Sequence, residues 1–513
     1  MSAVIVFFLL LAGAVTAAVL TRYRPRLIPA AAVLLSGLSL LLWLIVRTQL
    51  PIPSPLAPSS LTYVWRIDEP AWLITAWLLL LLFALALGHL QRAESGPPLM
   101  MFAFLLLAFT LPALWADSVY SLIWGLVLLV IPWLAAVWHN VIPDVRRYLA
   151  YITMLITVVL LLFYTAVSVP ASGGWEMAGW PAASVTAVLL AAVILIGIWP
   201  FFNWRLRLAQ VPLPLNIILF LMPAAVGGLL LSRIAASAQL NLTWQLLLTA
   251  MALLGYLRGV RLTWARLHLP GSAITAILFA QAQLIILAGL WAGPTAVLAL
   301  TQALILTAGI LTLAAGQPIN RRRWWRAVAP ALALAALAGL PLTASFVGLS
   351  ALYDTWLAND RFLLLLVTGL LIAPLVTAVT LFFHPETAPQ ADETVGHTAV
   401  RDAAAILLGI TLIAVRGVTW GGIHPLTWIM ILLPPVIGLL LTRRLPQVRE
   451  SQALIRQAFT FGPALNRTRD RVKDVLHTSG TAVSDAVAIL ETDGGLVWVF
   501  ILALLLYLVI GNR

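Results

Sequence analysis

Seven neutral polar residues interrupt long apolar stretches of this chain and are the first candidates for chemistry. They are Gln281, Gln283, Thr301, Gln302, Thr307, Thr343 and Ser345. Amide and hydroxyl groups can hydrogen-bond to water or to one another, but they do not titrate near neutral pH. In apolar surroundings such groups commonly form hydrogen bonds between helices. These residues therefore predict either helix–helix contacts or an ion path without proton-binding side chains.

Two glycine–proline pairs supply the other candidates, because each interrupts an apolar stretch long enough to cross a bilayer. The first pair is Gly197 and Pro200, with Trp204 shortly after it, and the second is Gly339 and Pro341. Proline removes a backbone N–H and clashes with the preceding turn, which frees carbonyl groups. Such groups persist in a membrane only when they are buried in protein or line water. The paired interruptions predict a transporter-like core with two broken helices.

Titratable side chains fall at the ends of the apolar stretches. Asp68 and Glu69 open one stretch, where the positive end of a helix suits a carboxylate. A cluster with His384, Glu386 and His397 invites a metal hypothesis, but the prolines and glycine around it favour a solvated loop. We therefore predict no catalytic residue, no bound cofactor and no metal site in this chain.

Composition identifies the class of protein in which these residues lie. Of the 513 residues, 62% are hydrophobic and 9% are charged, with a mean hydropathy of +1.03. These values are typical of a polytopic membrane protein. The absence of cysteine excludes disulfides and cysteine-bound zinc or iron–sulfur centres. The net charge of +12 comes from arginines between the apolar runs, which indicates membrane topology and not nucleic-acid binding.

Sixteen stretches are candidates for membrane spans, which take about 20 apolar residues each. They lie near 2–20, 28–46, 71–90, 98–115, 119–138, 149–169, 184–204, 212–232, 243–258, 269–291, 294–316, 327–352, 361–383, 402–418, 425–442 and 494–511. The first stretch lacks a basic region before it and is followed by arginines, so we expect a retained span and not a cleaved signal peptide. The fold class predicted is all-α, with about sixteen transmembrane helices.

The arginine distribution predicts how these spans are oriented. If the N-terminus lies outside and the spans alternate, 24 of the 30 lysine and arginine residues fall on the inner side. This bias agrees with the positive-inside rule. We therefore expect a multi-pass protein of a bacterial-type cytoplasmic (inner) membrane, embedded in the lipid bilayer, with both termini outside.

The interrupted helices also predict internal repeats. Residues 98–232 and 243–383 each contain five spans, and the fourth span of each group carries the break. Because five is odd, the second group must be inverted relative to the first. The remaining divisions are N-terminal helices at 1–97, C-terminal helices at 402–442, an amphipathic lateral segment at 443–493 and a final helix at 494–511. The lateral segment is expected to lie on the membrane surface, to brace other helices, or both.

The sequence around both breaks resembles the antiporter-like membrane subunits of respiratory complex I, Mrp-type sodium/proton antiporters and membrane-bound hydrogenases. Residues 338–348 read AGLPLTASFVG and resemble that family's AGLPPLSGFVG break, with Leu342 at its second proline. Residues 200–204 read PFFNW and resemble its PFHTW motif. The resemblance implies proton or cation translocation in a larger energy-converting complex, with other membrane subunits as partners and with redox chemistry elsewhere in the complex.

The chain departs from that family where the resemblance implies a midplane chain of titratable residues. The implied glutamate and lysine or histidine positions fall on apolar residues, namely Gly125, Leu195, Ala225, Leu304 and Leu349. A charge at the membrane centre is costly and is kept where it functions. We therefore predict a subunit of a complex I-like or related energy-converting complex whose own proton path is degenerate.

Two other function classes stay open on the sequence. An integral-membrane transferase would need acidic residues at a surface site, and Asp68 with Glu69 are the candidates for them. A stand-alone transporter would use the neutral polar residues for an uncharged substrate. Neither of these two functions requires the sequences at both breaks to resemble motifs of the same protein family.

Overall fold

The protein is described by a computed structural model of the chain. The structure describes residues 2–53, 63–90, 98–140, 145–169, 175, 177–201, 211–237, 240–267, 269–315, 325–383, 395–413 and 423–444. Within these ranges the chain is almost entirely helical. The loop with the His384 and Glu386 cluster, the lateral segment beyond Arg444 and the predicted span 494–511 lie outside the described residues.

Sixteen α-helices occur in the described part of the chain. They are α1 Ser2–Tyr23, α2 Ile28–Val46, α3 Glu69–Gly88, α4 Pro98–Trp115, α5 Val119–Asn140, α6 Val145–Ser168, α7 Ala182–Ile196, α8 Leu213–Ser237, α9 Leu242–Ala265, α10 Pro270–Trp291, α11 Pro294–Ala314, α12 Val328–Leu337, α13 Ala344–Ala358, α14 Phe362–Phe382, α15 Val395–Ile413 and α16 Pro425–Arg444. A two-stranded antiparallel sheet pairs β1 Ile52–Pro53 with β2 Arg66–Ile67.

The all-α membrane architecture predicted from composition is confirmed. Ten of the described helices are long and apolar enough to cross a membrane, and four further apolar helices are shorter. Fifteen predicted spans have helical counterparts, but 327–352 is two helices, α12 and α13, separated by a break. The grouping into inverted five-helix repeats stays a prediction, as do the domain limits.

Three helices form the centre of the bundle. Nearly every residue of α8, α10 and α11 is buried, and these helices pack on one another. A helix that is apolar on all sides is suited to such a position. By contrast, about a third of α1, α2 and α16 is buried, so these helices form part of the outer surface. The central helices therefore decide what surrounds each break.

An ion-pair cluster ties several elements together at one end of the bundle. The Asp68 carboxylate caps α3 by accepting a hydrogen bond from the Ala71 N–H at 2.9 Å, and it pairs with Arg233 of α8 at 3.1 Å. Arg233 also donates to the Ala116 carbonyl at 3.0 Å. Burial raises the pKa of the nearby Asp117 carboxyl, although the Arg66 and Arg233 guanidinium groups oppose that shift. These contacts fix α3, the α4–α5 connection and the end of α8 to each other.

A second ion pair joins α12 to α15. The Arg326 Nε lies 3.2 Å from the Asp402 Oδ2, and both side chains are only 8% exposed. Arg326 lies two residues before the first residue of α12, so this pair fixes the start of the helix that leads into the second interruption.

Candidate functional site

The first interruption, called break 1, comprises residues 197–201 after α7. The helix ends at Ile196, and Gly197 adopts a left-handed conformation with φ 106°. The Gly197 and Ile198 N–H groups both donate to the Val193 carbonyl, at 3.0 and 2.9 Å. Glycine suits this position because it has no Cβ to oppose a positive φ. The helix thus ends where Gly197 and Pro200 predict the first interruption, while Trp204 lies outside the described residues.

Gln283 of α10 fills the space beside break 1. Its amide nitrogen donates to the Gly197 carbonyl at 3.1 Å and to the Phe279 carbonyl at 3.2 Å, and the residue is fully buried. Gly255 of α9 leaves room for this amide, because a Cβ there would lie 2.6 Å from the Gln283 Oε1. Gln283 therefore satisfies a carbonyl that the end of α7 leaves free.

The second interruption, called break 2, comprises residues 338–343 between α12 and α13. Gly339 and Leu342 have positive φ values of 69° and 71°. The Leu340 N–H donates back to the Ala335 carbonyl at 2.8 Å, which closes the end of α12. A Cβ at Gly339 would lie 2.3 Å from the Leu349 Cδ1, so a close contact as well as backbone conformation requires glycine there. The predicted span 327–352 is thus interrupted at Gly339 and Pro341.

The other polar candidates are buried, but they serve different contacts. Gln302 of α11 donates to the Thr411 carbonyl of α15 at 3.2 Å, and the Thr343 hydroxyl donates to the Leu340 carbonyl at 2.7 Å. The Gln281 amide and the Ser345 hydroxyl are buried without a hydrogen-bond partner among the described residues. Among these candidates, only Gln283 bonds to break 1 and only Thr343 belongs to break 2. The described hydrogen bonds do not link them into one continuous line.

Two buried tyrosines were not among the candidate residues predicted from the sequence. Tyr256 of α9 and Tyr353 of α13 are fully buried, and neither hydroxyl has a partner among the described residues. The Tyr353 ring stacks on Trp356 with centroids 6.1 Å apart. Their position within apolar helical stretches could have indicated buried hydroxyl groups, although tyrosines near span ends are usually interfacial.

The positions where the resemblance implies titratable residues are packed with apolar groups. Leu195 and Leu349 are 0% exposed, and Ala225 and Leu304 are 1% exposed. At Gly125, an added Cβ would lie 2.5 Å from the Ala113 backbone nitrogen of α4. Close helix contact therefore occupies the place of the implied glutamate side chain.

The two glutamines of α10 allow a matched test of this arrangement. We expect Gln283→Leu to lower the unfolding free energy by about 1–3 kcal/mol, because it leaves the buried Gly197 carbonyl unpaired. Gln281→Leu is expected to be neutral or stabilising, because it removes amide atoms that have no described partner. The measurement is the midpoint of detergent-induced unfolding of each purified variant. Equal losses from both substitutions would contradict the assigned role of Gln283.

Comparison with solved structures finds chains of large membrane complexes. A chain of respiratory complex I from Thermus thermophilus matches with a TM-score of 0.62 and 18% identity, over 80% of this chain and 97% of that one. A chain of the Mrp complex from Dietzia sp. matches over 100% of this chain with a TM-score of 0.67 and 18% identity. This chain has the antiporter-like subunit fold. It spans 63% of the length of the Mrp-complex chain.

The fold is shared more widely than the sequence. A chain of the membrane-bound sulfane sulfur reductase, an archaeal respiratory membrane complex, matches with a TM-score of 0.63 and 12% identity, over 80% of this chain and 75% of that one. No protein-family model matches the sequence, and no curated protein matches it. The likeness to these chains is therefore a likeness of fold.

Proposed function

We propose that this chain is a membrane subunit of a complex I-like or related energy-converting complex and that its own proton path is degenerate. The fold supports the first part, because chains with this fold come from respiratory complex I, an Mrp complex and a respiratory sulfane sulfur reductase. Partner subunits would carry the redox chemistry, since this chain has no cysteine for an iron–sulfur centre.

One observation supports the second part: α7 ends at break 1, α12 and α13 flank break 2, and the groups described beside both breaks are neutral. A proton relay needs groups that bind and release protons in turn. At break 1 the freed Gly197 carbonyl is paired with the neutral amide of Gln283. Leu349 is the side chain packed against Gly339 at break 2. The subunit would then have a structural role or complete a path shared with a neighbouring subunit.

Purification and reconstitution of one tagged chain test both parts. Gentle detergent extraction from the native membrane is expected to recover further membrane subunits and redox subunits with the chain. The chain alone in liposomes with a pH gradient is expected to conduct no more protons than protein-free liposomes. Recovery of the isolated chain only would contradict the subunit role, and proton flux by the chain alone would contradict the degenerate path.

A stand-alone transporter for an uncharged substrate is the second candidate. The observation that favours it is a set of buried polar groups without described partners, which includes Gln281, Ser345, Tyr256 and Tyr353. Such groups could hydrogen-bond to a neutral solute. Isolation of a stable, monodisperse chain without partners would favour this candidate over the subunit role.

The transferase hypothesis receives less support from the geometry. Asp68 is engaged as the helix cap of α3 and as the ion-pair partner of Arg233. A carboxylate held in this way positions helices. Asp68 is also the acidic residue on which a surface reaction site would depend. The cluster therefore favours a structural role for Asp68.

A further inference from the structure

A cluster of charged side chains lies where α3 ends, α12 begins and α15 passes both. Arg326 lies two residues before the first residue of α12, and Arg401 and Asp402 belong to α15. The side chains of Arg326 and Asp402 are each 8% exposed, and Arg401 is 7% exposed. A Cβ added at Gly88, the last residue of α3, would lie 3.7 Å from the Arg401 Cγ. Three helices therefore meet at this cluster.

The carboxylate of this cluster, Asp402, is already engaged. Its Oδ2 accepts a hydrogen bond from the Arg326 Nε at 3.2 Å, and the Trp325 indole N–H donates to the same carboxylate. Arg401 attracts this carboxylate electrostatically. Two guanidinium groups and an indole thus act on one carboxylate, so Asp402 has little capacity left for the other donors of Arg326.

Arg326 keeps donors that the described part of the chain does not use. A guanidinium group carries five N–H donors, and the described hydrogen bond of Arg326 uses the one at Nε. Its Nη2 is buried without a hydrogen-bond partner among the described residues. A buried N–H of a charged group that lacks an acceptor carries a desolvation penalty. The guanidinium group can be reached from outside, because Arg326 as a whole is partly exposed and Trp325 beside it is 41% exposed.

The start of α12 independently favours a negative group at the same place. The N-terminus of a helix presents backbone N–H groups and partial positive charge. The N-cap residue of α12 is Ala327, which offers no side-chain acceptor, and the first turn of the helix contains no acidic residue. Because Arg326 directly precedes this N-cap, its unpaired Nη2 and the positive end of α12 are adjacent.

We propose that the start of α12 binds a phosphate group, with the Arg326 guanidinium and the first N–H groups of α12 as donors and Arg401 adding positive charge. Phosphate fits better than a carboxylate, because its tetrahedral oxygens can accept from the Nη groups and from backbone N–H groups at once. A free phosphate ion and the headgroup of an anionic phospholipid both supply this chemistry. The bound group links α12 to α15 and α3. This site does not depend on the proposed subunit role.

Thermal unfolding of the purified, delipidated full chain in an uncharged detergent tests the proposal. One series adds inorganic phosphate, with sodium chloride at equal ionic strength as its control. The other adds phosphatidylglycerol, with diacylglycerol of the same acyl chains as its control. We expect a saturable rise of the unfolding midpoint with phosphatidylglycerol or with both ligands, and none with the controls, because a ligand that binds only the folded chain stabilises it. A response to inorganic phosphate shows that the free ion suffices, whereas a response to phosphatidylglycerol alone identifies a lipid headgroup.

Arg326→Lys separates the guanidinium donors from the positive charge. Lysine keeps a cation beside Asp402 but lacks the planar pair of Nη groups. We expect the apparent dissociation constant of the effective ligand to rise about tenfold or more, which corresponds to the loss of a charged hydrogen bond. Arg261→Lys is the matched control, because Arg261 is an exposed arginine of α9, and it should bind as the natural chain does. Equal binding by the two variants, or no response of the natural chain to either ligand, would overturn the site.

A further variant decides the matter if Arg326→Lys folds poorly. Ala327→Asp places a carboxylate at the uncapped start of α12, next to Arg326. This internal anion is expected to raise the unfolding midpoint of the ligand-free chain, because it meets the positive end of the helix. It should also abolish the response to phosphate and to phosphatidylglycerol. If Ala327→Asp responds to the ligands as the natural chain does, the start of α12 is not the binding site.

Discussion

Gly125→Ala is expected to destabilise the protein by about 2–3 kcal/mol, as overpacking of a tight contact does. A Cβ at Gly125 would lie 2.5 Å from the Ala113 nitrogen and 2.6 Å from its Cα. Both are backbone atoms of α4, so no side-chain rotation can relieve the clash and the two helices must separate. Small residues allow such close helix approach in membranes. The midpoint of detergent-induced unfolding, followed by tryptophan fluorescence, measures this effect.

Gly125→Glu should lose more stability than Gly125→Ala. It adds a carboxyl group to the same clash, and a charged group at a membrane position costs several kcal/mol. Gly179→Ala is the control, because a Cβ there meets no atom within 4 Å. If Gly125→Ala and Gly179→Ala had equal unfolding midpoints, close packing would not explain the missing glutamate. A folded, proton-conducting Gly125→Glu variant would show that the relay position is still available.

The fold class could be predicted from the sequence because it depends on composition and span length. Long apolar runs must become helices in a bilayer, since helices satisfy their own backbone groups. Both breaks were likewise predictable, because Gly339 and Pro341 act locally on the backbone. The split of 327–352 into α12 and α13 follows from the same break, although hydropathy alone gives one continuous span.

The contacts around the breaks could not be predicted because they depend on tertiary packing. Gln281 and Gln283 are two residues apart and have similar sequence surroundings, yet only Gln283 meets a free carbonyl. Its amide fits because Gly255 on another helix leaves space. The positive φ of Leu342 could not be predicted either, because leucine does not favour a left-handed conformation.

The two described ion pairs, Arg233 with Asp68 and Arg326 with Asp402, each link separate helices. Asp68 and Arg326 lie beside the starts of α3 and α12, and each pairs with a residue of another helix, Arg233 of α8 and Asp402 of α15. At such positions the carboxylate offsets the charge of a partly buried guanidinium group. These four charged side chains thus position helices, which agrees with the proposed subunit that has no proton relay of its own.

Asp402→Leu is expected to have the largest effect among changes at these ion pairs. It leaves the Arg326 guanidinium, which is 8% exposed, buried without its carboxylate. Removal of one partner from a buried pair costs about 3–5 kcal/mol. Arg401 adds a second guanidinium next to the vacated position, which increases the electrostatic penalty. We expect low yield of folded protein and an unfolding midpoint far below that of the natural chain.

The double variant Arg326→Leu with Asp402→Leu distinguishes charge burial from loss of packing. Replacement of a whole buried pair by apolar residues is often neutral or stabilising, so the double variant should recover most of the stability that Asp402→Leu loses. Both variants remove the bond between α12 and α15, and only the single variant leaves an unpaired buried charge. If the double variant were as unstable as the single one, the hydrogen bond itself, and not charge compensation, would hold α12 beside break 2.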